Sequence, residues 1–101
     1  MNITDVTAQV LDALEELNQQ LPPERQVPVL PDTLLFGHEG SLDSLGLVNL
    51  ILLVEERISD EFGVSIVLAD ERAISQENSP FRSIKSLSDY IVLLMREQQN
   101  G

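Results

Sequence analysis

Apolar residues recur at helical spacing through Val6, Val10, Leu14, Leu17 and Leu21, and two consecutive prolines, Pro22 and Pro23, then end the run. Steps of three and four residues place these side chains on one stripe of a helix, whereas a strand would alternate every second residue. Asp5, Gln9, Asp12 and Glu16 form the opposite, polar stripe. The spacing predicts a helix over 5–21, capped by Thr4 and stopped by the prolines, which lack the amide a helix needs. Such a helix is stable only with its stripe buried against other elements, so the rest of the chain must supply partners.

Two further long helices and one short one are expected. Residues 44–62 form the most apolar one. Leu45, Val48, Leu52 and Glu55 share one face and Leu47, Ile51, Val54, Ile58 and Phe62 another, a width that predicts a central helix contacted on several sides. Gly63 is placed to end it in the left-handed conformation, with Val64 packing back on the last turn. Val64 to Leu68 could be a strand by periodicity, but lacking a second convincing strand it reads as an extended connector. A short third helix is expected over 70–75, followed by turn chemistry from Gln76 to Pro80. The last helix is expected over 87–97, with Ser86 and Asp89 as a capping box, Leu87, Tyr90, Ile91 and Leu94 as its buried stripe, and a frayed tail from Gln98.

Between the first two helices lies a long connection from Pro22 to Asp43. Its prolines and glycines break regular structure, yet Val29, Leu30, Leu34, Leu35 and Phe36 are too apolar for a free linker. They predict a segment packed back over the helices, with one helical turn at 32–36. Loops of this length in compact domains are often functional. The expected fold is all-α: a small four-helix bundle of three longer helices and one short one, with a long first loop, as one domain over residues 1–101.

Composition narrows the chemistry. Hydrophobic residues are 43% of the chain and aromatics only 4%, so the core must be mostly aliphatic. With no cysteine, disulfides, thiolate metal sites and cysteine nucleophiles are excluded. His38 is the only histidine and reads as a solvated loop residue, so no two-imidazole site is available. The acidic pairs Glu55-Glu56, Asp60-Glu61 and Asp70-Glu71 lack the alternating ligands of a calcium loop and read as solvated helix ends. No phosphate-cradling glycine loop is present. Neither catalytic residues nor metal ligands are therefore assigned, and an enzyme is not expected. The net charge of -11 opposes nucleic acid and anionic membranes, and favours basic partner surfaces through long-range steering. Apolar runs such as Leu50 to Val54 are too short to insert in a bilayer, and no basic-then-apolar leader opens the chain. A cytoplasmic monomer is the expectation.

One stretch remains, Gly40-Ser41-Leu42-Asp43-Ser44-Leu45. A serine or aspartate before an apolar helix is ordinarily its N-cap. A serine in the first helical turn at the tip of a loop is also reachable by a modifying enzyme. A phosphodiester there would lie at the positive end of the helix dipole, and Asp43 could help hold a metal ion accompanying a nucleotide-like donor. Spacing alone permits both readings.

Asp43-Ser44-Leu45, opening the second helix after a long loop, resembles the attachment motif of acyl carrier proteins. Glu61-Phe62-Gly63-Val64-Ser65-Ile66 resembles that family's helix end and connector, and Ser83 to Ile91 resembles the approach to its last helix. The triplet alone is weak; three stretches in order across nearly the whole chain are specific. The resemblance implies that Ser44, flanked by Asp43 and Leu45, accepts a covalent 4′-phosphopantetheine arm from coenzyme A, and that the arm's thiol carries acyl thioesters. Ser41 lacks the preceding aspartate and reads as a loop residue. The implied partners are a phosphopantetheinyl transferase, an acyl-loading ligase or synthase, and an acyltransferase. Some features depart from the pattern. The helix is about one turn longer, and its start reads Gly46-Leu47-Val48-Asn49-Leu50 where such carriers present acids. The acids stand instead at Glu55, Glu56, Asp60 and Glu61, and the segment from Asn78 to Lys85 is extended. These departures point to partners with basic or mixed apolar surfaces in a dedicated lipid, polyketide or related pathway. The alternatives are an aminoacyl or peptidyl carrier, an unmodified interaction module of the same fold, and a hydrolase using Ser44, which lacks a base.

Overall fold

The computed structural model describes residues 3–36, 42–68 and 80–100, and these are helical with no strand. Helix α1 spans Ile3–Gln19, α2 spans Ser44–Phe62 and α3 spans Ile84–Asn100. The expected short helix at 70–75, together with His38, Ser41 and the Asp70-Glu71 pair, lies outside the described residues.

Helix α1 starts earlier and stops earlier than its stripe predicts. Thr4 lies inside the first turn instead of capping it. The helix ends at Gln19 because the chain tightens into i→i−3 bonds, Gln20 N to Leu17 O at 2.9 Å and Leu21 N to Asn18 O at 3.0 Å. Asn18 then reverses the chain: its Nδ2 donates to Val27 O at 2.7 Å and its Oδ1 accepts from Val27 N at 2.8 Å. Gln26 Nε2 donates to Asn18 O at 3.1 Å and Leu21 O at 3.3 Å, so a side chain from the loop satisfies carbonyls that the helix end leaves open.

The described part of the first loop contains a 3-10 turn at Pro23–Arg25 and a second turn at Pro31 and Asp32, closed by Thr33 N donating to Leu30 O at 3.1 Å. The helical turn expected at 32–36 does not form. Leu34 instead makes an antiparallel bridge with Ser83, Leu35 N donates to Arg82 O at 2.7 Å, and Ile84 N donates to Thr33 O at 3.0 Å. Backbone groups that a lone helical turn would leave open are paired here across the molecule. Thr33, buried in this loop, donates through Oγ1 to Pro28 O at 2.7 Å.

Helix α2 runs over the expected residues and stops at Gly63, whose φ of 67° lies in the left-handed region and whose amide donates to Ser59 O at 3.0 Å. Val64 packs partly buried against the core, and residues 64–68 form the expected extended connector. Helix α3 begins three residues before the expected start. Ser83 Oγ accepts from Ser86 N at 3.1 Å while Ser86 Oγ accepts from Ser83 N at 3.0 Å, so the reciprocal cap uses Ser83 and Ser86 and not Ser86 and Asp89. The far end continues to Asn100 instead of fraying at Gln98, whose Nε2 donates to Ser65 O.

The α1 stripe Val6, Val10, Leu14 and Leu17 is fully buried, as its spacing requires, and Leu47, Leu50, Ile51, Val54 and Ile58 of α2 meet it with Ile84, Leu87, Ile91 and Met95 of α3. Helix α1 packs on both other helices. Not all of the apolar surface expected on α2 is covered: Leu45, Val48 and Leu52 are 71%, 45% and 55% exposed. Arg57 Nη2 reaches Glu16 at 3.0 Å and links α2 to α1.

A side chain at position 63 must adopt the left-handed conformation, which costs an L-residue about 1–2 kcal/mol. Gly63→Ala is expected to lower stability by about 1 kcal/mol in chemical denaturation, and Gly63→Asn by less, since Asn tolerates this region. Equal stability of Gly63→Ala and the parent would contradict the assigned stop.

Candidate functional site

The start of α2 follows a short run that passes from the buried Leu42 to the exposed Asp43. Leu42 is buried, with its amide donating to Leu35 O at 2.8 Å, and this anchors the far end of the first loop to the core. Asp43 follows in extended backbone, φ -82° and ψ 179°, and its Oδ1 accepts from Gly46 N at 2.7 Å. That bond satisfies one of the amides a helix start leaves without a partner. The aspartate is the N-cap and Ser44 is the first helical residue, so the ordinary capping role belongs to Asp43. Leu45 is one of the most exposed large apolar residues described.

Gly46 permits this arrangement. A Cβ there would lie 3.2 Å from Asp43 Oδ1 and 3.3 Å from Leu42 Cδ2, closer than a relaxed contact with either. The second carboxylate oxygen of Asp43 is also engaged: Arg25 Nη2 lies 3.3 Å from Oδ2, with both side chains well exposed. Arg25 comes from the Pro23–Arg25 turn, eighteen residues before Asp43. No periodic or local signal connects the two. The only hint in the sequence is that Pro22-Pro23 forces a turn that must present Glu24 and Arg25 somewhere. Beneath the pair is a notch of about 120 Å³ lined mainly by apolar side chains, among them Leu17, Leu42 and Leu45.

Leu45, Val48 and Leu52, at i, i+3 and i+7, form an open apolar strip running from this junction along α2. Glu55, the next residue on that face, is not the solvated helix end its sequence context predicts. It is half-buried, and its Oε2 accepts from Leu68 N at 2.6 Å, pinning the connector against α2. Glu56, Asp60 and Glu61 are exposed as expected.

Chemically, the junction offers an exposed helix start, one carboxylate with a fixed orientation, one cation and an adjoining apolar strip. Among the described residues, no three His, Cys, Asp or Glu side chains are grouped to hold a metal ion, and no helix is long and apolar enough to cross a membrane. The chain matches no family model, no curated protein and no solved structure.

Loss of the cap has a measurable cost. Asp43→Ala is expected to destabilise the protein by about 1 kcal/mol, or a few degrees in Tm, whereas Asp43→Asn, which still accepts the Gly46 amide, should remain near the parent. Amide exchange at Gly46 should accelerate only in the alanine variant. Matching melts for the two variants would remove Asp43 from the cap.

Proposed function

We propose that this chain is an acyl carrier that holds acyl groups on a 4′-phosphopantetheine arm joined to Ser44. The observation that carries the reading is the position of Asp43-Ser44-Leu45: the triplet opens α2 directly after the long first loop, with the residues on both sides of the serine exposed. A modifying enzyme can reach such a helix start without unfolding anything. The phosphodiester it leaves would sit at the positive end of the α2 dipole, a placement worth about 0.3–1 kcal/mol at an exposed site.

Several of this chain's own residues serve the reaction. In loading, the Ser44 hydroxyl oxygen forms a new bond to the phosphorus bearing the pantetheine. The pyrophosphate bond of coenzyme A breaks, adenosine 3′,5′-bisphosphate leaves, and the serine proton passes to a base of the transferase. Asp43 caps the helix start by accepting the Gly46 amide, and its carboxylate would help hold the cation that accompanies the donor. The arm supplies a terminal thiol on which acyl groups are carried as thioesters, and the protein itself performs no bond chemistry on them.

The open strip Leu45, Val48 and Leu52 supports the view that the partners are those of a dedicated pathway. A partner for this strip must offer an apolar surface beside Ser44 and basic groups toward Glu56 and Asp60, because complementarity of this kind sets partner choice. The overall charge of -11 favours fast, salt-sensitive encounter with such a surface.

Co-expression with a broad-specificity phosphopantetheinyl transferase tests the assignment by intact mass. The parent should gain the mass of one phosphopantetheine and Ser44→Ala none. No adduct on the parent, or equal labelling of Ser44→Ala, would refute it. If genetic complementation by Ser44→Ala were undiminished, the interaction-module reading would take its place.

A further inference from the structure

Another cavity, of about 570 Å³, shares no lining residue with the notch beside Asp43. Its volume falls within the range of about 300–1,000 Å³ usual for small-molecule sites. Three elements wall it: Ile3 and Thr7 from the first two turns of α1, Pro31 and Asp32 from the first loop, and Lys85 and Asp89 from the start of α3. The loop wall is fixed in place. Buried Thr33 donates through its amide to Leu30 O at 3.1 Å, closing the turn that carries Pro31 and Asp32. Its carbonyl accepts from Ile84 N, in the first residue of α3, at 3.0 Å. Asp32 and Lys85 therefore stand next to the two ends of this bond, and Asp89 follows one turn along the helix.

Asp32, Lys85 and Asp89 bring charge of both signs to a wall that is mainly apolar. Lys85 and Asp89 are four residues apart, a spacing at which helical ion pairs can close. Yet among the described residues none of the three is in an ion pair. An apolar cavity with a few polar groups on its wall is the usual form of a small-ligand site, and here charge decides the ligand. An organic cation is attracted by the two carboxylates but repelled by Lys85, and an organic anion meets the reverse. A molecule with both charges meets a partner for each. We propose that this cavity binds a small zwitterion with an apolar body, of the kind an apolar amino acid presents, its ammonium toward Asp32 and Asp89 and its carboxylate toward Lys85. The inference does not depend on the carrier reading of Ser44.

The test titrates the isotope-labelled full chain by NMR with L-phenylalanine, and with phenethylamine and hydrocinnamate, which keep the ring but lack the carboxylate or the ammonium. L-Phenylalanine is expected to shift the amides of Thr7, Asp32, Lys85 and Asp89. Each single-charge probe should bind about two- to fivefold more weakly, the range one exposed ionic contact supplies. Lys85→Gln should abolish the advantage over phenethylamine, and Asp89→Asn should reduce only the advantage over hydrocinnamate. Asp32→Asn repeats the second comparison, so one poorly folded variant does not remove the test. No saturable shifts at these residues, or shifts only elsewhere, would overturn the site and show three solvated charges. Equal or tighter binding of either single-charge probe, or an unchanged ranking in all three variants, would overturn the zwitterion assignment.

Discussion

The complete burial of the α1 stripe is the constraint from which the rest of this fold follows. Val6, Val10, Leu14 and Leu17 are shielded because α1 packs on both α2 and α3. Each such aliphatic side chain contributes about 1.5–3 kcal/mol on burial, and truncating one to alanine typically costs about 2–5 kcal/mol. Surface pairs such as Arg25–Asp43 are worth at most about 1 kcal/mol. Apolar contact on α1 therefore decides the architecture, and polar contacts decide how the connecting segments are pinned to it.

Pinning matters because the chain must leave α1 and return to start α2 in a defined place. The first loop is held at three points. Asn18 grips Val27 at its beginning, the Thr33–Leu35 segment pairs with Arg82 to Ile84 in its middle, and Leu42 is buried at its end. With these anchors set, Asp43 arrives in extended backbone at the right distance to cap Gly46. The serine that follows is thus the first residue of a well-anchored helix at the tip of a loop. Its backbone placement is precise and its neighbours Asp43 and Leu45 are exposed, which suits the modification proposed for it.

Features carried by nearby residues were legible in the sequence: the α1 stripe from its period, the α2 span, and the Gly63 stop, because a glycine after the last apolar turn has one common use. Two serines compete for the start of α3. The choice of Ser83 over Ser86 is made by pairing with Leu34, forty-nine residues away in sequence, which no local pattern can disclose. The same holds for the bridge that replaces a helical turn at 32–36, and for Arg25, whose partner lies eighteen residues on. The width of apolar surface on α2 was legible, but not how much of it is buried. Its second face is an open strip at Leu45, Val48 and Leu52, and periodicity cannot separate a face covered within the chain from one left for a partner. The candidate site was accordingly visible as a motif, while its cap geometry and its cation were not.

The central claim is that Ser44 carries the arm in the organism that makes this protein. Top-down mass spectrometry of the protein isolated from its native cells tests this most directly. The account predicts a mass increased by one phosphopantetheine, with or without an acyl group, and fragment ions that place the addition on Ser44. A fully unmodified native protein, or an addition placed on another residue, would contradict it.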